Sequence, residues 1–157
     1  MVLGLAALFA LSGPMTAETV IDPITDQVRA VATLRQGDQR LEIGCAPDRV
    51  RRIWVQLISN RWFRSGNVFN HHITFTHRFD DARARRMMWR VDERSALLVG
   101  RNRVDPFIHQ LLSSDRLIIR APGPEARTYD IVFEIQGARE AIDNVLEACG
   151  DRLRTRL

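Results

Sequence analysis

Hydrophobic and polar residues alternate along most of this chain, and the alternation is clearest near its end. Over 128–136, Tyr129, Ile131, Phe133 and Ile135 fall on one face; Thr128, Asp130, Glu134 and Gln136 fall on the other, with Val132 the exception. A period of two in aromatic and β-branched residues predicts a strand. Gly137 ends it and can serve as the N-cap of a helix. In that helix Ile142, Val145, Leu146, Cys149 and Leu153 recur at three-to-four spacing and form one apolar stripe. Glu140 in the first turn and Arg152 near the end both suit the helix dipole.

The same reading places earlier strands. Segments 27–35 and 40–46 form a hairpin turning at Gly37-Asp38, with Leu41, Ile43 and Cys45 on one face. Pro47-Asp48 makes the next turn, and 51–58 is a third strand. Residues 60–67 form a loop holding Trp62, Phe63 and Gly66. A long strand over 68–79, a polar turn at 80–85, and strand pieces at 86–94 and 95–100 follow. Asp105-Pro106 reads as the N-cap and first residue of a two-turn helix whose apolar face is Phe107, Ile108, Leu111 and Leu112. Segment 116–120 is a strand and 121–126 a Pro/Gly loop. Residues 18–26 carry no firm pattern. Short turns between successive strands argue for antiparallel pairing. The fold class is therefore α+β and mainly β: an antiparallel sheet or sandwich of about seven or eight strands with two helices.

Composition narrows the picture little. At 157 residues the chain suits one domain with a real core. Charge is more telling. Every basic residue is arginine, and GC-rich coding is the plain explanation. The formal charge is +4, and the span 78–103 holds eight arginines against Asp80, Asp81, Asp92 and Glu93. The positive field is thus local.

Residues 1–17 carry no charged side chain, and 2–11 is a short apolar run broken by Ser12, Gly13 and Pro14. The run is short of the roughly 20 residues needed to span a bilayer. It reads as a secretory signal cleaved near Ala17, leaving 18–157 as one exported, periplasmic, β-rich domain. No basic residue precedes the run and Met15 sits where a small residue is preferred, so a buried N-terminal strand or helix is the alternative. Two cysteines, Cys45 and Cys149, fit an exported protein with one bridge. Both fall on inward-facing patterns, so the bridge staples the last helix to the early hairpin; two unrelated buried thiols are the duller alternative.

Candidate chemistry is sparse. His71 and His77 share a strand face about 20 Å apart, too far for one metal ion. His72 points away, and scattered surface histidines are the plain reading; no metal or cofactor is expected. GxSxG, HExxH and P-loop motifs are absent. Asp80-Asp81 and Asp92-Glu93 are sequence neighbours that point to opposite strand faces, so neither makes an acid–base dyad. Asp80 and Asp92 are expected in ion pairs with Arg78 and Arg90. Arg83, Arg85 and Arg86 with Trp89 form a candidate binding set for phosphates, better suited to anionic envelope lipid or glycan than to nucleic acid. A solvated charged face is the plain reading of the same residues. Trp54, Trp62 and Phe63 are a candidate aromatic patch, with Trp62 the best placed for exposure and Trp54 better suited to the core.

Taken in order, Cys45, Arg78-Phe79-Asp80, Trp89, the Phe107–Leu111 helix, the 117–120 strand and the closing Phe133-Glu134-Ile135-Gln136-Gly137 block with Ala141-Ile142 and Cys149 resemble the VasI-type family of small periplasmic proteins associated with bacterial type VI secretion. The resemblance spans about 41–149. It implies that Cys45 and Cys149 pair and that Arg78, Asp80 and Trp89 are framework positions. It carries no catalytic residues. His77 stands where the family pattern leads one to expect an aromatic such as Tyr, and the 80–88 turn is richer in arginine. The reading that results is a non-enzymatic exported accessory or binding protein whose partner is an envelope protein, with a secretion-system component as one candidate; a second reading has the 78–103 arginines binding an anionic lipid or glycan in peripheral contact with the envelope. An envelope hydrolase ranks third.

Overall fold

The computed structural model describes residues 13–46, 53–64 and 71–154. Nine strands and two helices follow one another: β1 Thr16–Ile21, β2 Val28–Gln36, β3 Gln39–Cys45, β4 Ile53–Ile58, β5 His72–Phe79, β6 Arg85–Asp92, β7 Ser95–Leu98, α1 Arg101–Leu112, β8 Arg116–Pro122, β9 Thr128–Glu134 and α2 Ala138–Ala148. A single 3-10 turn, Pro124–Ala126, joins β8 to β9. The strands form one open antiparallel sheet in the order β1-β2-β3-β4-β7-β6-β5-β8-β9, so the sheet alternative holds rather than two stacked sheets.

Alternation decides which face is buried. In β4, Ile53, Val55 and Leu57 are buried, while Trp54, Gln56 and Ile58 are half-buried on the outer face. The same parity holds in β2 and β3, whose inward residues are Ala30, Ala32 and Leu34, then Leu41, Ile43 and Cys45. α2 lies on β1, β2 and β3 and also meets α1, which approaches β4. Small side chains at Ala30 and Ala32 leave room for the stripe of α2, where Ala141, Ile142, Val145 and Leu146 are buried. One bond, between Cys45 at the end of β3 and Cys149 at the C-cap of α2, fixes this contact across 104 positions of sequence.

The far edges of the sheet approach one another. β9 comes close to β2, and the N–H of Met15 donates to the carbonyl of Gln136 at 2.7 Å. Met15 is buried beneath this junction. Gly137 sits against it in the left-handed region at φ 67, and a β-carbon there would stand 3.2 Å from that of Pro14. Glycine therefore suits both the backbone and the space.

Three boundaries differ from the pattern reading. β1 fills part of a stretch that showed no firm pattern; all six of its residues are exposed, so no alternation of burial marks it. The Ala17 boundary falls inside β1, where Thr16 and Ala17 pair with Thr33 and Ala32. α1 starts at Arg101 behind Gly100, one turn before the expected Asp105, and carries Pro106 inside it. Asp105 is no N-cap: it is buried, pairs with the Arg101 guanidinium at 3.1 Å and accepts the N–H of Arg154 at 3.0 Å. Burial of Val104 and this ion pair offset the hydrogen bond that proline removes from the helix. The apolar run 2–11, the turn at Pro47-Asp48, residues 51 and 52 of the third strand, Gly66 and residues 68–70 of the long strand lie outside the described residues.

Candidate anion-binding face

β5 and β6 form the centre of the second half of the sheet, and their two faces have opposite characters. On the inner face Phe75, His77, Phe79 and Trp89 gather around Phe107 of α1. The His77, Phe79 and Trp89 rings meet the Phe107 ring edge-on at 5.4, 5.2 and 5.8 Å. Trp89 is fully buried, so it cannot stack on a ligand from solvent, and it leaves the binding set with Arg83, Arg85 and Arg86. Its place is beneath α1, where its indole packs against Phe75 and Phe107.

His77 corrects the surface-histidine reading. It is 2 % exposed, and burial pushes its proton affinity down to about 4, helped by the charge of Arg85 across the strand pair. The ring is therefore neutral at neutral pH. His71 and His72 are exposed at the other end of β5. Among the described residues no group of three His, Cys, Asp or Glu side chains is placed to hold a metal ion.

In the Arg78-Phe79-Asp80 segment the contacts differ from the expected ion pair. Asp80 does not serve Arg78. Its carboxylate accepts the N–H groups of Asp115 and Arg116 at 3.0 and 2.8 Å, tying the turn after β5 to the start of β8. Arg78 instead faces Asp81 at 3.6 Å, an exposed and loose pair.

The outer face is where the arginines stand. β5 pairs with β6 and with β8, and Thr76 is the partner of Arg86 on one side and of Arg120 on the other. Arg120 in turn faces Asp130 of β9. One outward row thus reads Arg86, Thr76, Arg120, Asp130. Arg120 makes a forked bond to Asp130, with Nε and Nη2 donating at 2.7 and 2.8 Å. That bond pulls the Asp130 carboxyl below the ordinary carboxylate range and raises the Arg120 guanidinium. Arg78 adjoins this row along β5. Arg83 and Arg85 are exposed beside the turn, but Arg85 belongs to the inward parity, opposite His77. The structure therefore brings Arg86 together with Thr76 and Arg120, and separates it from Trp89. Thr76 and Arg120 were invisible to a count of arginines along 78–103, because β8 joins the patch only through strand pairing. The signal available was the alternation of β5 and β8, which puts Thr76, Arg116 and Arg120 outward.

A hollow of about 420 Å³ on this face is bordered by Gln56, His71, Arg90, Asp92 and Ser95, with Gln56 already donating to Ser95 at 2.6 Å. The aromatic patch of the 60–67 loop does not form as one surface. Phe63 is buried against Phe75 and Tyr129. Trp54 is not a core residue but lies on the outer face over Gly44. Trp62 is exposed, with the Arg94 guanidinium 5.6 Å from its ring centre.

No family model matches this chain, and neither a curated protein nor a solved structure matches it.

Proposed function

We propose that this chain is an exported accessory or binding protein of the bacterial envelope, acting through its surfaces rather than by catalysis, and akin to the VasI-type proteins that accompany type VI secretion. The observation that carries the reading is the Cys45–Cys149 bond. Disulfides persist in oxidising compartments and are rare in the cytosol. No helix among the described residues is long and apolar enough to cross a membrane.

Two further points support it. Among the described residues His77, whose proton affinity burial lowers to about 4, is sealed among the rings of Phe79 and Phe107 rather than opening to solvent. The same environment makes His77 a mild departure from the family pattern, since a neutral imidazole among Phe79 and Phe107 does the packing of an aromatic ring. In this reading the apolar leader is removed near Ala17, and the partner is an envelope protein, a secretion-system component being the first candidate.

The test is location and company. In fractionated cells, Cys45 and Cys149 should resist a maleimide until a reductant is added, and the protein should be found with the periplasmic fraction. Cross-linking there should recover a component of a type VI apparatus. Free thiols in a cytosolic pool would overturn export; export with no such component recovered would leave the envelope role and remove the secretion link.

A further inference from the structure

We infer that the outer face of β5, β6 and β8 holds a seat for one phosphate-type oxyanion, centred on Thr76 and flanked by Arg78, Arg86 and Arg120. The inference stands independently of the secretion reading, because it rests on strand register and side-chain chemistry alone.

Register comes first. Arg86 and Arg120 are both direct partners of Thr76, so a hydroxyl stands between two guanidinium-bearing positions in one cross-strand row. Adjacent strands lie about 4.8 Å apart, which sets the two arginine backbones roughly 10 Å apart. Arginine side chains are long enough to reach an anion above the threonine from either side. Arg78 adds a third cation two positions along β5.

The surface is hollowed at this point. A cavity of about 220 Å³ is lined by Thr76, His77, Arg78, Ala84, Ile118, Arg120 and Asp130, with Arg86 outside its wall on the neighbouring strand. That is smaller than the roughly 300–1,000 Å³ of sites that enclose a whole small molecule. It has room for a single charged group and leaves the rest of a ligand in solvent.

The hydrogen-bond inventory is also suitable. Asp130 occupies Nε and Nη2 of Arg120, which holds the guanidinium in place and leaves the Nη1 hydrogens for another acceptor. Among the described residues Arg86 has no ion-pair partner. Arg78 is held only by Asp81, whose side chain is 98 % exposed and easily exchanged. Thr76 offers one O–H donor. A tetrahedral phosphate, with several acceptor oxygens, matches donors arriving from two sides and from below. Asp130 and Asp81 temper the field, so binding is expected to be moderate and to weaken with salt.

The phosphate could belong to a lipid headgroup or to a soluble ligand, and the experiment separates the two. The disulfide-bonded protein is titrated with inorganic phosphate at constant ionic strength while backbone amides are followed by NMR. In parallel, co-sedimentation is measured with vesicles of phosphatidylcholine containing phosphatidylglycerol. Saturable shifts confined to the Thr76, Arg86 and Arg120 region are expected with phosphate and not with chloride. Arg86→Gln should weaken the response at least tenfold and Thr76→Val about fivefold, whereas Arg139→Gln on α2 should leave it unchanged. Binding by phosphate alone assigns a soluble ligand. Sedimentation that is lost in Arg86→Gln, with no phosphate response, assigns the headgroup. Absence of both, or equal weakening by Arg139→Gln, would overturn the seat in favour of a diffuse positive field.

Discussion

Cys149, at the C-terminal cap of α2, is bonded to Cys45, the last residue of β3, with their α-carbons 6.3 Å apart. This pair closes a loop that contains β4 to β9 and both helices. It also lies at the deep end of the α2 stripe, so the bond and the apolar contact restrain the same element. In the chain-entropy account, closing about 100 residues stabilises the fold by up to ~4.7 kcal/mol. Cys45→Ser with Cys149→Ser should therefore cost about 2–5 kcal/mol. Urea denaturation with and without reductant checks this, and equal midpoints would show that α2 docks unaided.

Acid should weaken the protein through His77 as the pH falls below about 6.5. The unfolded imidazole takes up a proton below about pH 6.5, while the folded ring stays neutral until about pH 4. Its folded affinity is lowered, so the unfolded state binds more protons in that window and stability falls as pH falls. The full loss is on the order of 3 kcal/mol between pH 6.5 and 4. Chemical denaturation across that range should show the slope, and His77→Phe should flatten it.

Gly44 has no room for a side chain. A β-carbon there would stand 2.2 Å from the ring of Trp54, its partner across β3 and β4. Gly44→Ala should cost about 1–3 kcal/mol by forcing the indole off its seat. Because Trp54 lies on the outer face, Gly44→Ala combined with Trp54→Ala should recover part of the loss. A thermal-melt cycle over the four proteins measures the coupling, and strict additivity would refute the contact.

Asp105 organises the C-terminal tail. It pairs with Arg101, accepts the N–H of Arg154, and Arg101 reaches on to Asp151 at 2.9 Å and to the carbonyl of Arg152. Removing one partner of a buried pair costs about 3–5 kcal/mol when nothing replaces it. Asp151 remains for Arg101, so Asp105→Asn should fall near 3 kcal/mol or below. Hydrogen exchange at Asp151–Arg154 should rise by a larger factor than exchange in β3.

The N-terminal boundary can be tested by stability alone. Met15 is buried and its N–H holds Gln136. Fully burying a methionine side chain is worth about 1.5–3 kcal/mol. A chain beginning at Glu18 should thus be less stable than one beginning at Gly13 by about that amount, as read from paired denaturation curves. N-terminal sequencing of exported material then tells which form the cell keeps.

Much of the fold could be read from alternation, and the exceptions have physical causes. The β2–β3 hairpin at Gly37-Asp38, β9, the Gly137 cap and the stripe of α2 were all legible, because each pairs a clear periodicity with a turn residue. β1 was not, since an edge strand exposed along its whole length has no burial to write into its pattern. α1 was placed late because Asp105-Pro106 is a strong local start signal, and a buried ion pair outweighed it. At the candidate site Arg86 could be singled out from local charge. Thr76 and Arg120 could not, because their neighbourhood exists only once β5 has paired on both sides. Trp89 was misjudged for a similar reason: its parity was readable, but that α1 covers that face was not.

The trough that α2 fills belongs to the first strands of the domain, yet α2 is made last. At about 5–20 residues per second, roughly 5–20 s separate synthesis of β3 from synthesis of α2. Through that interval Ala30, Leu41, Ile43 and an unpaired Cys45 thiol have no cover from their own chain. The inward face of β2 and β3 is therefore completed only when the last helix of the domain has been made and docked.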